Sequence, residues 1–103
     1  MIFLASDHAG FEMKQYIAEY LDQEGIPHSD IGPHTYDGHD DYPDFIIPAA
    51  ERVAEAPGQH LGIVLGGSGQ GEAIAANKVP GIRAALFYGG SMEIVRLSKD
   101  HNN

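Results

Sequence analysis

The chain has no cysteine, which excludes disulfides, thiolate metal sites and a cysteine nucleophile or base. A cytoplasmic location is the matching expectation. Positive charge is scarce: six Lys and Arg stand against fifteen Asp and Glu, for a formal net charge of −9. That balance repels polyanions, so neither nucleic acid nor an anionic membrane is expected as a partner. An anionic metabolite could still be held by a local nest of amides or a few basic side chains. No apolar run approaches the roughly 18 residues a transmembrane helix needs. Met1–Ala5 is apolar but lacks a charged leader and runs straight into Ser6-Asp7-His8. It reads as a first strand rather than a signal peptide.

The common nucleotide and hydrolase fingerprints are missing too. The segment Gly66-Gly67-Ser68-Gly69-Gln70-Gly71-Glu72 has no Gly-x-Gly-x-x-Gly spacing, puts Glu72 where a P-loop needs lysine, and puts Gln70 where a hydrolase elbow needs glycine. What it does hold is four glycines within six residues, a hydroxyl at Ser68 and a carboxylate at Glu72. The apolar run Leu61–Leu65 precedes it and reads as a buried parallel strand. Ile74 and the alanines after it supply the packing face of a helix. A strand, a glycine turn and a helix N-terminus aim backbone N–H groups at an anion, whether a phosphate or a developing oxyanion. The plain alternative is a tight turn whose acid is favoured by the helix dipole.

The rest of the 103-residue chain follows an alternating order. Met1–Ser6 is strand-like and Asp7–Gly10 is the turn at its carboxyl end. Phe11–Glu24 is an amphipathic helix with Ile17, Tyr20 and Leu21 on one face and Glu12, Lys14, Glu19 and Asp22 largely elsewhere. Gly25 and Pro27 end it. His28–Gly32 is a short strand and Pro33–Asp41 a polar loop. Tyr42-Pro43 opens a second helix with an apolar stripe of Phe45, Ile46, Ala49, Ala50 and Val53. Val79-Pro80-Gly81 closes the third helix, Ile82–Tyr88 reads as a fourth strand, and Ser91 caps a last helix carrying Met92, Val95 and Leu97. The order β-α-β-α-β-α-β-α implies a three-layer α/β/α, Rossmann-like domain with a parallel sheet and right-handed crossovers. In such folds ligands bind beyond the carboxyl ends of the strands, where Asp7-His8 and the glycine turn both fall.

The loop residues His34, Asp37, His39, Asp40 and Asp41 resemble metal ligands in type, but they lack regular ligand spacing and no metal is expected. His28 and His60 read as surface residues. His101 follows the last helix in the polar string Lys99-Asp100-His101-Asn102. An amide nest, a carboxylate, a hydroxyl and histidines together suit proton transfer beside a carbonyl, with the nest stabilising an enediolate and no cofactor required.

Ser6-Asp7-His8-Ala9-Gly10, Asp41-Tyr42-Pro43, the Gly66–Lys78 stretch, Gly81-Ile82-Arg83-Ala84 and Leu97-Ser98 with His101-Asn102 together resemble the ribose-5-phosphate isomerase B family, which is related to the allose- and galactose-6-phosphate isomerases. The resemblance implies interconversion of an aldose phosphate and its ketose through a cis-enediol, ribose 5-phosphate and ribulose 5-phosphate first among them. With serine and glutamate in the glycine loop, the chain resembles the glutamate branch of that family. Glu72 would then be the carbon base, Ser68 would assist at the oxygens, and Gly67, Gly69 and Gly71 would form the oxyanion nest. Asp7 and His8 would bind substrate, with Tyr42 against the sugar. His101 resembles the residue that opens the furanose ring in the partner subunit's site, with Asn102 beside it, which implies a homodimer or higher oligomer with shared sites. Family members continue past the His-Asn pair with a further strand, a dimer-forming helix and phosphate-binding arginines. The expectation is therefore a single domain over residues 1–103, incomplete at its C-terminus, with four β-α units present and the family's last strand and helix missing. The rival expectation is a non-catalytic phosphosugar-binding or assembly subunit that needs a complementary chain.

Overall fold

The structure, a computed structural model, describes residues 1–36, 43–87, 89 and 92–102, with the side chains of Ile94, Lys99, His101 and Asn102 excepted. Three parallel strands form one sheet in the order β2-β1-β3: β1 (Ile2–Ser6) at the centre, β2 (His28–Gly32) and β3 (Leu61–Leu65) beside it. Helices α1 (Phe11–Gln23), α2 (Pro43–Ala54) and α3 (Gln70–Asn77) connect and cover the strands, and α4 (Met92–Asn102) follows. The expected parallel, Rossmann-like α/β architecture is what forms.

The central strand is apolar because both of its faces are covered. Ala5 packs with Ile46, Ala49 and Ala50 of α2 and Ala75 and Ala76 of α3, so the α2 stripe read from the sequence is the one buried. Strand alternation turns Leu4 to the opposite face, and α1 contributes Leu21 as its buried apolar residue. Fully buried side chains such as Leu4 and Ile46 each contribute about 2 kcal/mol.

Several details differ from the sequence reading. Lys14, expected on the polar side of α1, is completely buried. Its ammonium donates to Asp30 Oδ2 at 2.7 Å and to the Pro33 carbonyl at 2.9 Å, and lies 5.2 Å from the centre of the Phe11 ring. Asp30 in turn accepts the Gly32 N–H through Oδ1 at 2.9 Å, where β2 slips register against Leu4 and Ala5. Lys14 therefore pins the end of β2 to α1. Removing one partner of such a buried pair strands the other. Lys14→Ala is expected to lower unfolding free energy by about 3 kcal/mol, read as a lower urea midpoint with an unchanged m-value.

Ile74 points away from the body and is exposed, so the alanines alone make the packing face of α3. His60, taken for a surface residue, stands edge-on to Phe3 with ring centroids 5.1 Å apart. His28 is half-buried, with Nδ1 2.9 Å from the Ile26 carbonyl. On α4, Met92, Val95 and Leu97 are exposed; Ser91, read as its cap, lies outside the described residues.

The largest correction is the fourth strand. Residues 82–87 join no ladder, which leaves β3 as a sheet edge whose Leu61 is exposed. The segment instead meets the Asn77 side chain. Its Oδ1 accepts the Ala84 N–H at 2.8 Å and its Nδ2 donates to the Ala84 carbonyl at 2.9 Å. The segment thus finds backbone partners off the sheet. A crevice of about 940 Å³, lined by Val53, Leu61, Val64, Ile82 and Phe87 among others, separates it from β3.

Candidate active site

Strands β1 and β3 end level, with Ser6 opposite Leu65. The Asp7 N–H continues the ladder by donating to the Leu65 carbonyl at 3.1 Å, which sets Asp7 beside Gly66. The chain then folds back on itself: Asp7 Oδ1 accepts the Gly10 N–H at 2.9 Å and α1 starts at Phe11. A Cβ on Gly10 would stand 2.6 Å from the Leu65 carbonyl carbon and oxygen, so glycine there lets α1 start directly against the end of β3.

Across that gap, α3 begins at Gln70 and carries Glu72 in its first turn. Glu72 is only 4% exposed. Its carboxyl occupies the space where a Cβ of Gly66 would stand, so the missing side chain at Gly66 is the seat of the Glu72 carboxyl. Burial raises the Glu72 pKa from the ordinary 4.5, and hydrogen bonding to Asp7 and the Asp7 charge raise it further. The N–H groups of Glu72 itself and of Gly69 oppose the rise. The net effect brings a carboxylate closer to the proton affinity a base needs near neutrality.

The glycine turn surrounds this carboxyl. Gly69 caps α3 with φ +79°, a backbone conformation that costs glycine least. Ser68 is exposed at the mouth, and its Oγ accepts the Gln70 N–H at 3.3 Å. Gly67 lies against Ala9 in the Asp7–Gly10 turn, and Gly71 belongs to the first turn of α3. His8 stands next to Asp7 with its ring centroid 6.3 Å from Tyr36, which is 6.1 Å from Phe11. The structure therefore brings Asp7, Gly67, Ser68, Gly69, Gly71 and Glu72 to one place, with His8 in the Asp7–Gly10 turn beside them.

Other candidates stand apart or outside the description. His101 and Asn102 belong to the last turn of α4, and nothing is described of their side chains. Tyr42 lies outside the described residues, as do Asp37, His39, Asp40 and Asp41. His34, the described member of that loop cluster, has Nε2 2.9 Å from the Asp30 carbonyl. Two features escaped the sequence reading. Tyr36 borders the site, signalled only by an aromatic residue in a polar loop. The contact of Glu72 with Asp7 had no signal beyond both residues following strand ends.

The Ribose/Galactose Isomerase family matches residues 2–103. The chain belongs to that family. This bears out the motif resemblance. Among curated relatives, the chain is 55% identical over 102 residues to ribose-5-phosphate isomerase B of Mycolicibacterium paratuberculosis, covering 99% of this chain and 62% of that one. Among solved structures it is similar to ribose-5-phosphate isomerase B from Mycoplasma genitalium with bound ribulose-5-phosphate, with a TM-score of 0.91 and 40% identity over 98% of this chain and 65% of that chain. A Clostridium thermocellum ribose-5-phosphate isomerase B gives a TM-score of 0.86 and 42% identity, covering 98% and 66%. The chain thus spans about 62% of the length of its first curated relative. The isomerase-family fold places Glu72 and the glycine turn where the sheet ends, and no helix among the described residues is long and apolar enough to cross a membrane.

Proposed function

We propose that this chain carries the base and oxyanion side of an aldose–ketose isomerase acting on a phosphorylated sugar, ribose 5-phosphate to ribulose 5-phosphate first. The observation that carries this reading is the buried Glu72 carboxyl, its pKa raised, seated against Gly66 beside a glycine turn. A relative of similar structure holds ribulose-5-phosphate, which favours this substrate.

In the proposed reaction the open-chain aldose lies over the Gly67–Gly71 turn. The Glu72 carboxylate removes the proton from carbon 2, and the electron pair forms the C1–C2 double bond as the carbonyl oxygen becomes an enediolate. Backbone N–H groups of the turn oppose that charge, and the Ser68 hydroxyl exchanges protons with the substrate oxygens. Glu72 then returns its proton to carbon 1, completing the ketose. His8 takes the phosphate end, Tyr42 meets the sugar, and His101 with Asn102 of a second subunit opens the ring. Each step is a proton transfer and calls for no electron acceptor.

A second reading, a phosphosugar-binding subunit, is favoured by where the basic side chains are. Lys14 is committed to Asp30, Arg52 stacks 4.9 Å over Phe3, Arg96 pairs with Glu93, and Arg83 lines the crevice. A phosphate dianion is best held by paired arginine contacts. The test is conversion of ribose 5-phosphate to ribulose 5-phosphate by the purified chain, followed by NMR, beside calorimetric titration with ribulose 5-phosphate. Conversion above the uncatalysed rate supports the isomerase. Binding without conversion supports the second reading, and neither result would remove both.

A further inference from the structure

The segment that stays off the sheet, residues 82–87, meets α3 near both of its ends. At the C-terminal end the Asn77 side chain bonds both backbone groups of Ala84, at 2.8 and 2.9 Å. The same side chain donates to the Ala73 carbonyl at 3.0 Å, so Ala84 is fixed against the helix. Exposure then alternates along the segment: Ile82, Ala84 and Leu86 are half-buried, while Arg83, Ala85 and Phe87 are exposed. This period of two turns the Leu86 side chain to the same side as Ala84, and it reaches the other end of α3. A Cβ on Gly69 would stand 2.6 Å from Leu86 Cδ1. Leu86 thus fills the space that a side chain at the cap of α3 would take.

A contact at Gly69 bears directly on the site. Gly69 caps α3 with φ +79°, its carbonyl accepts the Ala73 N–H at 3.0 Å, and Glu72 follows in the first turn. A glutamate three residues beyond a cap reaches back to the cap N–H, and the Gly69 N–H favours the charged form of Glu72. The cap therefore sets both the direction of the turn amides and the way the Glu72 carboxyl faces. We propose that Leu86 is a positioning residue, an apolar wedge that holds the Gly69 cap and thereby aims the glycine turn and Glu72 at the substrate. This rests on the isomerase reading of the site and adds a support that comes from outside the glycine loop. Glycine is then required at position 69 twice, by its positive φ and by the seat of Leu86.

Leu86→Val removes Cδ1, the atom against Gly69, yet keeps a branched apolar side chain and the Asn77–Ala84 tie. Leu86→Met restores the reach. In the full chain, kcat for ribose 5-phosphate should fall by about tenfold in Leu86→Val, with KM changed by less than about threefold. Leu86→Met, a swap of similar volume, should keep kcat within about threefold of the parent. Amide hydrogen exchange read by NMR supplies the second measurement. In Leu86→Val the Gly69 amide should exchange about tenfold faster, over and above any change at the Leu4 amide in the central strand, which reports opening of the whole sheet. An unchanged kcat would overturn the proposal, and so would a Leu86→Met variant as impaired as Leu86→Val. Gly69 and Leu4 amides that accelerate together would also overturn it, because that marks a loss of stability alone. The amide comparison decides the matter even for a chain that shows no turnover, so failure of the isomerase reading is seen separately in the parent.

Discussion

Glu72→Gln is expected to lower turnover of ribose 5-phosphate by about two to four orders of magnitude, with KM changed by less than about threefold. Glutamine keeps the size and hydrogen-bonding oxygen of the side chain but cannot accept the carbon-bound proton. The same substitution should stabilise the fold at neutral pH. The Glu72 pKa is raised by burial and by Asp7 above the ordinary value of 4.5, so the native state binds this proton more tightly than the unfolded chain does. Native stability from this group is therefore full below about pH 4.5 and declines as pH rises through the folded value. Glutamine carries no such penalty. The melting temperature of Glu72→Gln should exceed that of the parent at pH 7 and converge with it in acid. A parent that melts higher at neutral pH would show that the buried carboxylate is not strained. This is the pattern of a site held at the expense of stability.

The second large effect is expected from Gly66→Ala. A single added methyl would compete for the place of the Glu72 carboxyl. The obstacle is the end of a side chain rather than backbone, so the chain can fold by swinging Glu72 out of its seat. A displacement on the order of 1 Å at a reacting group costs about a hundredfold in rate, and Gly66→Ala should lose at least that much turnover. The far-ultraviolet circular dichroism and the urea m-value should stay those of the parent. Full activity would mean that Glu72 does not work from this position. Gly58→Ala is the natural control for an added methyl, because a Cβ there meets nothing within 4 Å.

Much of the fold was legible because the segments concerned follow simple periodicities. Leu61–Leu65 and Ile2–Ser6 are short apolar runs, and the Phe45–Val53 stripe repeats at helical spacing; each formed where expected. Ile82–Tyr88 has the same strand-like composition, yet over residues 82–87 it joined no ladder. Composition says that a segment can pair but not whether a partner edge reaches it, and the Asn77 side chain met the Ala84 backbone instead. Lys14 was misplaced for a related reason. Charge argues for exposure unless a partner is buried alongside, and Asp30 with the Pro33 carbonyl is distant in sequence. At the site, the glycine turn and the two polar strand ends were readable because the doubly wound order brings strand ends together. The seating of Glu72 on Gly66 and its contact with Asp7 were not readable, since they depend on the β1–β3 register.

The central claim is that Glu72 moves the carbon-bound proton, and the most direct measurement is proton NMR of ribose 5-phosphate incubated with the chain in deuterium oxide. The account predicts that ribulose 5-phosphate appears carrying deuterium at carbon 1, because a carboxyl base exchanges its proton with solvent between abstraction and return. Glu72→Gln should abolish both conversion and label within the sensitivity of the measurement. Label entering carbon 1 at an undiminished rate with Glu72→Gln would contradict the account and assign the proton transfer to another group.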